Sequence, residues 1–311
     1  MQLFISGATG FIGSVVTEMA IAEGHAVRGL SRSEEGDAKL TALGAVPVRG
    51  DLTTLDVLSA ESARADAVLQ LAFIHDWSMD FKEVLRIDRL AMDALSKPLH
   101  GTGKPFVISS GTAGVEPDPA GGETTEETTA SATHPLSDRK LSEEHALSMA
   151  DENVRVSAIR LAPYVYGRGG GIGFVTMLMR AAAKAGESLY IGDGQLRTST
   201  VHVDDAAALY LLAAKGGKAG EKYNCTGSTT VKAREIAEAI GAVMELPVRS
   251  VTPDEASEKF GPFLTWIIQI ENRASSRKAI QELGWQPKGI DLITDIRTGS
   301  YRTLAESLKQ G

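Results

Sequence analysis

Apolar and polar positions follow two alternating periods along the first half of this chain. Short apolar runs at Leu3–Ile5, His25–Ser31, Ala45–Arg49, Asp66–Ala72, Pro105–Ser109 and Val156–Leu161 are bounded by Gly, Pro, Asp or Ser and predict strands. Between them, Phe11–Ala22, Glu34–Leu43, Leu55–Ala63, Phe81–Leu95 and Lys140–Ala150 carry apolar residues at helical spacing. Strands alternating with helices predict an α/β fold, a doubly wound parallel sheet with helices on both faces and right-handed crossovers. After about Leu161 the alternation thins. Gly167–Gly173 is glycine-rich, an apolar helix follows near Phe174–Ala185, and Val201–Ala214 returns to strand then helix. Val231–Met244 reads as an amphipathic helix, and short helices around Trp266 and Trp285 follow from Thr252. Glu116–Pro135 is rich in Gly, Pro, Thr and Glu and reads as a long loop, a lid or a mobile segment.

The first strand runs directly into Gly7, Gly10 and Gly13, spaced G-x-x-G-x-x-G, and then into the Phe11–Ala22 helix. Glycine lets a backbone approach a pyrophosphate closely, and the N–H groups of the helix start, with its positive dipole end, face the phosphates. Strand before and helix after is the context this motif needs, so Gly7, Thr9, Gly10, Phe11, Ile12 and Gly13 are expected to hold a dinucleotide. The choice of dinucleotide rests on the end of the second strand. An acidic residue there would bind a ribose 2′-hydroxyl and repel a 2′-phosphate. This chain has Ser31, Arg32 and Ser33 instead, which suits a phosphate, so NADP(H) is expected in preference to NAD(H), with NAD(H) still admitted.

Composition narrows the function further. The chain has 311 residues, 43% of them hydrophobic, a net charge of −8 and a pI near 5.4. That balance favours neither nucleic acid nor an anionic membrane as partner, and no apolar run reaches the length of a membrane span. Met1 leads directly into the first strand, which argues against a signal peptide, and the one cysteine, Cys225, excludes an intrachain disulfide and a cysteine-based metal cluster. The expectation is a cytoplasmic protein without a metal, acting on a small-molecule substrate; a homodimer is admitted.

Six segments, in order, resemble the extended short-chain dehydrogenase/reductase superfamily, in its epimerase/dehydratase branch. GATGFIG (Gly7–Gly13) is similar to its nucleotide fingerprint, and GDLTTLD (Gly50–Asp56) to the station where Asp51 and Leu52 approach the adenine. Leu71, Ala72 and Phe73 fall where the fourth strand ends beside the cofactor, and SSGTAGV (Ser109–Val115) where a catalytic Ser or Thr stands. RLAPYVYGRG (Arg160–Gly169) and VHVDDAA (Val201–Ala207) complete the series. The resemblance implies a Rossmann domain over residues 1–165 and a smaller C-terminal substrate region over 166–311, with about 200–230 returning to the first. It also implies oxidoreductase chemistry, here on a carbonyl or alcohol. A nucleotide-sugar epimerase or dehydratase and a non-catalytic, dinucleotide-binding regulator are the alternatives.

Family chemistry needs a tyrosine to pass a proton, with a lysine four residues on that lowers its pKa and holds the nicotinamide ribose. The relevant helix reads HPLSDRKLSEEHAL. With Lys140 as that lysine the tyrosine position is Leu136; with Arg139 in its place the position is Pro135. Neither side chain exchanges a proton. Tyr164 is one substitute donor, and His75, His134 and His202 are others, since imidazole titrates near neutrality. Ser110 and Thr112 are the hydroxyls at the serine station, Ser109 lies beside the cofactor, and Lys140 is the expected ribose ligand. Trp77, Met79, Phe81, Phe263 and Trp266 suit an apolar or planar substrate but also ordinary packing. Arg168, Arg180, Lys184 and Arg197 would suit a substrate diphosphate but also a solvated surface.

Overall fold

The computed structural model describes residues 1–76, 78–129 and 137–310. Its strands are β1 (Gln2–Ser6), β2 (Ala26–Ser31), β3 (Val46–Arg49), β4 (Ala67–Gln70), β5 (Pro105–Gly111), β6 (Arg155–Leu161), β7 (Tyr164–Tyr166), β8 (Ser188–Ile191), β9 (Arg197–His202), β10 (Glu221–Cys225), β11 (Ser228–Lys232) and β12 (Val248–Val251). Its α-helices are α1 (Phe11–Ala22), α2 (Glu34–Ala42), α3 (Leu55–Arg64), α4 (Phe81–Ser96), α5 (Ser137–Ser148), α6 (Phe174–Ala185), α7 (Val203–Gly216), α8 (Ala233–Met244), α9 (Pro253–Ile267), α10 (Arg277–Leu283), α11 (Leu292–Thr298) and α12 (Arg302–Lys309).

Seven strands form one sheet in the order β10-β6-β5-β4-β1-β2-β3, and every pairing in it is parallel. This is the doubly wound Rossmann architecture, and its strand order reverses between β1 and β4. Parallel strands covered on both faces bury both sides of the pleat. Leu3, Ile5, Leu69, Val107 and Ile159 pack on one face with residues of α1 and α7. Phe4, Val68, Phe106, Ile108 and Ala158 pack on the other with residues of α3, α4 and α5.

A second layer holds the β11-β9-β7 sheet, the β12-β8 pair and a core of its own, in which Tyr164 and Tyr166 meet α6, α8, α9 and the last two helices. The chain crosses between the layers repeatedly. After β9 it returns with α7, which packs on α1, and with β10 at the sheet edge. It returns once more at Trp285, 1% exposed in the first core, whose indole N–H donates to Asp205 O at 2.9 Å.

The described part of the long loop is fastened to the C-terminal region and to β10 and β11 by hydrogen bonds. Thr124 N donates to Arg273 O at 2.9 Å, and Ser275 N donates to Thr124 O at 2.8 Å. Thr229 Oγ1 donates to Glu123 Oε1 at 2.5 Å, and Asn224 N to Glu126 Oε1 at 2.8 Å. Among the described residues no helix is long and apolar enough to cross a membrane.

Candidate active site

The glycine turn lies at the point where the strand order reverses, the crevice in which open α/β sheets take ligands. Each glycine has a separate cause. Gly7 has φ +72°, and a Cβ on it would lie 2.7 Å from Ala72 N. A Cβ on Gly13 would lie 2.0 Å from Gly7 O, so this glycine lets α1 start directly on the turn. Gly10 has φ −73° and ψ 178°, ordinary extended backbone, and a Cβ there would meet protein only at Gly7 O, 3.2 Å away. The space beside Gly10 is therefore open. Gly10 caps α1 without a side-chain hydrogen bond, and the first turn of that helix carries no acid, which leaves its N–H groups, from Phe11 to Gly13, for an anion. Gly171 leans on the Phe11 ring, where a Cβ would come within 2.9 Å. Arg168 ties the same loop to Glu18 of α1 and Asp204 of α7, at 2.6 Å each.

At the end of β2, Ser31 is buried and donates to Ser33 O at 3.0 Å, while Ser33 Oγ caps α2 by accepting from Gly36 N at 3.2 Å. Arg32 stands exposed between them and makes no hydrogen bond or ion pair among the described residues. Asp37 also reaches Ser31, but its carboxylate is ion-paired with Arg49. Lys39 of α2 adds a second cation beside the glycine turn, its Nζ donating to Thr9 O at 2.8 Å. Asp51 accepts from Thr53 N at 2.7 Å and Thr53 Oγ1 at 2.6 Å, which holds its carboxyl below the usual range. Leu52 beside it is buried. Half-buried Leu71 and Ala72 are held against β1, with Leu71 N donating to Ser6 O at 3.2 Å.

A second cluster gathers at the ends of β4 and β5. The Arg139 guanidinium lies 3.7 Å over the centroid of the Phe73 ring, and Arg139 Nη2 donates to Ser109 O at 3.4 Å. Ser109 Oγ is consumed, donating to Gln70 O at 3.1 Å and lying 2.6 Å from Tyr210 Oη. Ser110, half-buried, lines the same pocket. His75 meets Phe73 edge-on at 5.3 Å, and desolvation first, then the Arg139 charge, lowers its imidazole pKa.

The structure does not bring the remaining expected residues into this pocket. Lys140, one position round the helix from Arg139, pairs with Glu144 at 3.2 Å and is absent from the pocket lining. Arg139, the alternative register, is the cation that faces it. Thr112 is fully buried, donating from Oγ1 to Asn272 Oδ1 at 3.0 Å while its carbonyl accepts from Asn272 Nδ2 at 2.7 Å; it ties the end of β5 to the Asn272 segment. Tyr164 is 2% exposed in the core of the second layer, edge-on to Phe174 at 5.9 Å, and burial pushes its phenol far up. His202 caps α7, its Nδ1 accepting from Asp204 N at 3.2 Å. Leu136, Pro135, His134 and Trp77 lie outside the described residues.

Two residues missed at the sequence level belong here. Asp88 of α4 lines the pocket, and its signal was visible as a single acid inside the apolar stripe Val84, Ile87, Ala91, Met92 and Leu95. Glu143 stands one turn after Arg139 and grips the buried Arg160 guanidinium through Nε, at 2.9 and 3.1 Å.

Comparison with known proteins agrees with this geometry. The model of the NAD dependent epimerase/dehydratase family matches residues 3–226. The protein YLL056C of Saccharomyces cerevisiae is 38% identical over 96% of this chain and 98% of its own length. The protein C2A9.02 of Schizosaccharomyces pombe is 38% identical over 97% of this chain and all of its own. The solved structure of the human epimerase family protein SDR39U1 with NADPH superposes at a TM-score of 0.74 and 21% identity, covering 96% of this chain and 99% of that one. A glycine cradle at the strand reversal, a family match across the whole Rossmann domain and full-length relatives lead to one conclusion: this chain belongs to the NAD dependent epimerase/dehydratase family.

Proposed function

We propose that this protein is an NADP(H)-dependent oxidoreductase acting on a carbonyl or alcohol group of a small molecule. The observation that carries the cofactor choice is Arg32, exposed at the end of β2 and unpaired among the described residues. Every cation that the fold itself needs nearby is already engaged, as Arg28 is with Glu61 and Arg49 with Asp37. A guanidinium that makes no hydrogen bond or ion pair among the described residues at that position matches a ribose 2′-phosphate in charge and geometry. Structures of like fold carry NADPH in one case and NAD in another, so the choice rests on Arg32.

When bound, the dinucleotide supplies or accepts hydride. The chain's own residues then have separate tasks. The amides from Phe11 to Gly13 hold the pyrophosphate, Asp51 and Leu52 border the adenine, and Arg139 holds the nicotinamide ribose in place of a lysine. The Ser110 hydroxyl, which no other described residue engages, hydrogen-bonds the substrate oxygen. No tyrosine precedes Tyr164 in the sequence, so the proton comes from another group.

Arg32→Asp tests the cofactor reading. Replacing attraction by repulsion at a 2′-phosphate is expected to shift the NADPH/NADH affinity ratio towards NADH by on the order of 100-fold. Fluorescence titration of both reduced dinucleotides measures it, and an unchanged ratio would remove Arg32 from the site. NADPH consumption across a panel of aldehydes and ketones tests the reaction class; turnover of UDP-glucose instead would replace it with the epimerase reading.

A further inference from the structure

Asp88 is 6% exposed, in the middle of the apolar stripe that α4 presses against the sheet. A carboxylate in such a place is costly unless it is fully compensated. Its partners are the Ser142 hydroxyl, the Gln70 amide and the Arg139 charge. Together they fall short, and burial holds this carboxyl above its usual value. Asp88 lines the pocket with Phe73, Ser110, Arg139 and Ser142, around a space of about 20 Å³. That is room for one water molecule with polar groups on several sides.

Reduction of a carbonyl needs one proton on the substrate oxygen. Glu143 is held by Arg160, Tyr210 is fully buried behind Ser109, and Ser110 alone neither stores nor releases a proton near neutrality. We propose that Asp88 is the proton store of this site, exchanging one proton with the substrate oxygen through a water molecule in that space. The inference rests on the oxidoreductase reading above. In the reducing direction the Asp88 O–H bond breaks, the water takes that proton and gives one up, and an O–H bond forms on the substrate oxygen. The hydride comes from the reduced nicotinamide dinucleotide, and solvent later reprotonates the carboxylate left facing Arg139. Asp88 acts through the water and is therefore a positioning residue for the proton.

Other charged groups around Asp88 are already engaged or remote in role. On α5, Lys140 pairs with Glu144 and His145 with Asp93; on α3, Glu61 is held by Arg28 and Arg64; on α4, Glu83 pairs with Arg86. Among the described residues His75 is a further titratable group on which the Arg139 charge acts.

Proton-linked calorimetry tests the inference without a substrate. The positive charge of an oxidised nicotinamide held by Arg139 would favour the Asp88 carboxylate, so NADP⁺ binding below the Asp88 pKa is expected to release protons, detected as heats that vary with buffer ionisation enthalpy. NADPH binding is expected to release none. Asp88→Asn is expected to abolish the NADP⁺-linked release and, by the same coupling, to remove the pH dependence of the NADP⁺ affinity. It should also flatten the pH dependence of stability. The folded pKa of Asp88 lies above the unfolded one, so wild-type stability falls as pH rises from the ordinary carboxylate range through the raised value, and the neutral isostere lacks that fall. Absence of proton release from wild-type protein that binds NADP⁺, or equal release from Asp88→Asn, would overturn the proposal. Failure to bind either dinucleotide would instead overturn the oxidoreductase reading beneath it. Ser142→Ala gives a second variant, expected to keep the release but shift it to higher pH by removing a hydrogen bond that favours the carboxylate.

Discussion

Gly10→Val is expected to abolish NADP(H) binding while the protein stays folded. Gly10 has φ −73° and ψ 178°, which valine adopts without strain, and a Cβ there touches protein only at Gly7 O, 3.2 Å away. The branched side chain then fills the space in front of the α1 amides. Losing the charge-assisted hydrogen bonds of the pyrophosphate costs roughly 3 kcal/mol or more, an affinity loss of at least about 100-fold. Gly13→Val provides the contrast. Its Cβ would fall 2.0 Å from Gly7 O, a backbone atom, so α1 must move off the turn, and stability itself drops by about 2 kcal/mol or more. Thermal melts and dinucleotide titration on the two variants separate the roles. Retained affinity in folded Gly10→Val would refute the pyrophosphate site.

Glu143→Ala is expected to have the largest effect on stability. Arg160 and Glu143 have side chains 8% and 4% exposed, and the guanidinium is spread over Glu143 and the Glu126 carbonyl, the latter at 3.0 Å. Removing one member of a buried pair strands the other charge, which costs about 3–5 kcal/mol, more than the pair itself contributes. The effect reaches the site because Glu143 and Arg139 share one face of α5. Fastening that helix to β6 fixes the guanidinium over Phe73. Chemical denaturation measures the loss, and a change below about 1 kcal/mol would show that the charge finds another partner or water. Glu143→Gln, which keeps the shape and one acceptor, is expected to recover part of the stability.

The dinucleotide half of this protein was legible from sequence because its signals are local. The helix expected over Phe11–Ala22 is α1 with the same limits, and the strand reading of Pro105–Ser109 missed only the last two residues of β5. Glycine spacing and short apolar runs bounded by turn residues need no knowledge of distant contacts. The reaction half was not local. Whether Arg139 or Lys140 faces the pocket depends on the rotation of α5 about its axis, which is set by Glu143 meeting Arg160 on another strand. Tyr164 stands away from this pocket for a related reason. The Arg160–Gly169 segment reads as one motif but crosses from β6 to β7 at Ala162–Pro163, and β7 turns Tyr164 and Tyr166 into the second core. The long loop was read from composition, which does not register the bridge between Thr124 and Ala274. Asp88 was readable in principle, since an acid inside an apolar stripe contradicts the pattern around it.

The central claim is that the turn from Gly7 to Gly13 and the exposed Arg32 form one NADP(H) site. Direct titration of the wild-type protein with NADPH and with NADH at fixed ionic strength tests it. The account predicts saturable binding of both, with NADPH at least about tenfold tighter and the difference shrinking as salt rises. Equal affinities, tighter NADH binding, or no binding of either would contradict it.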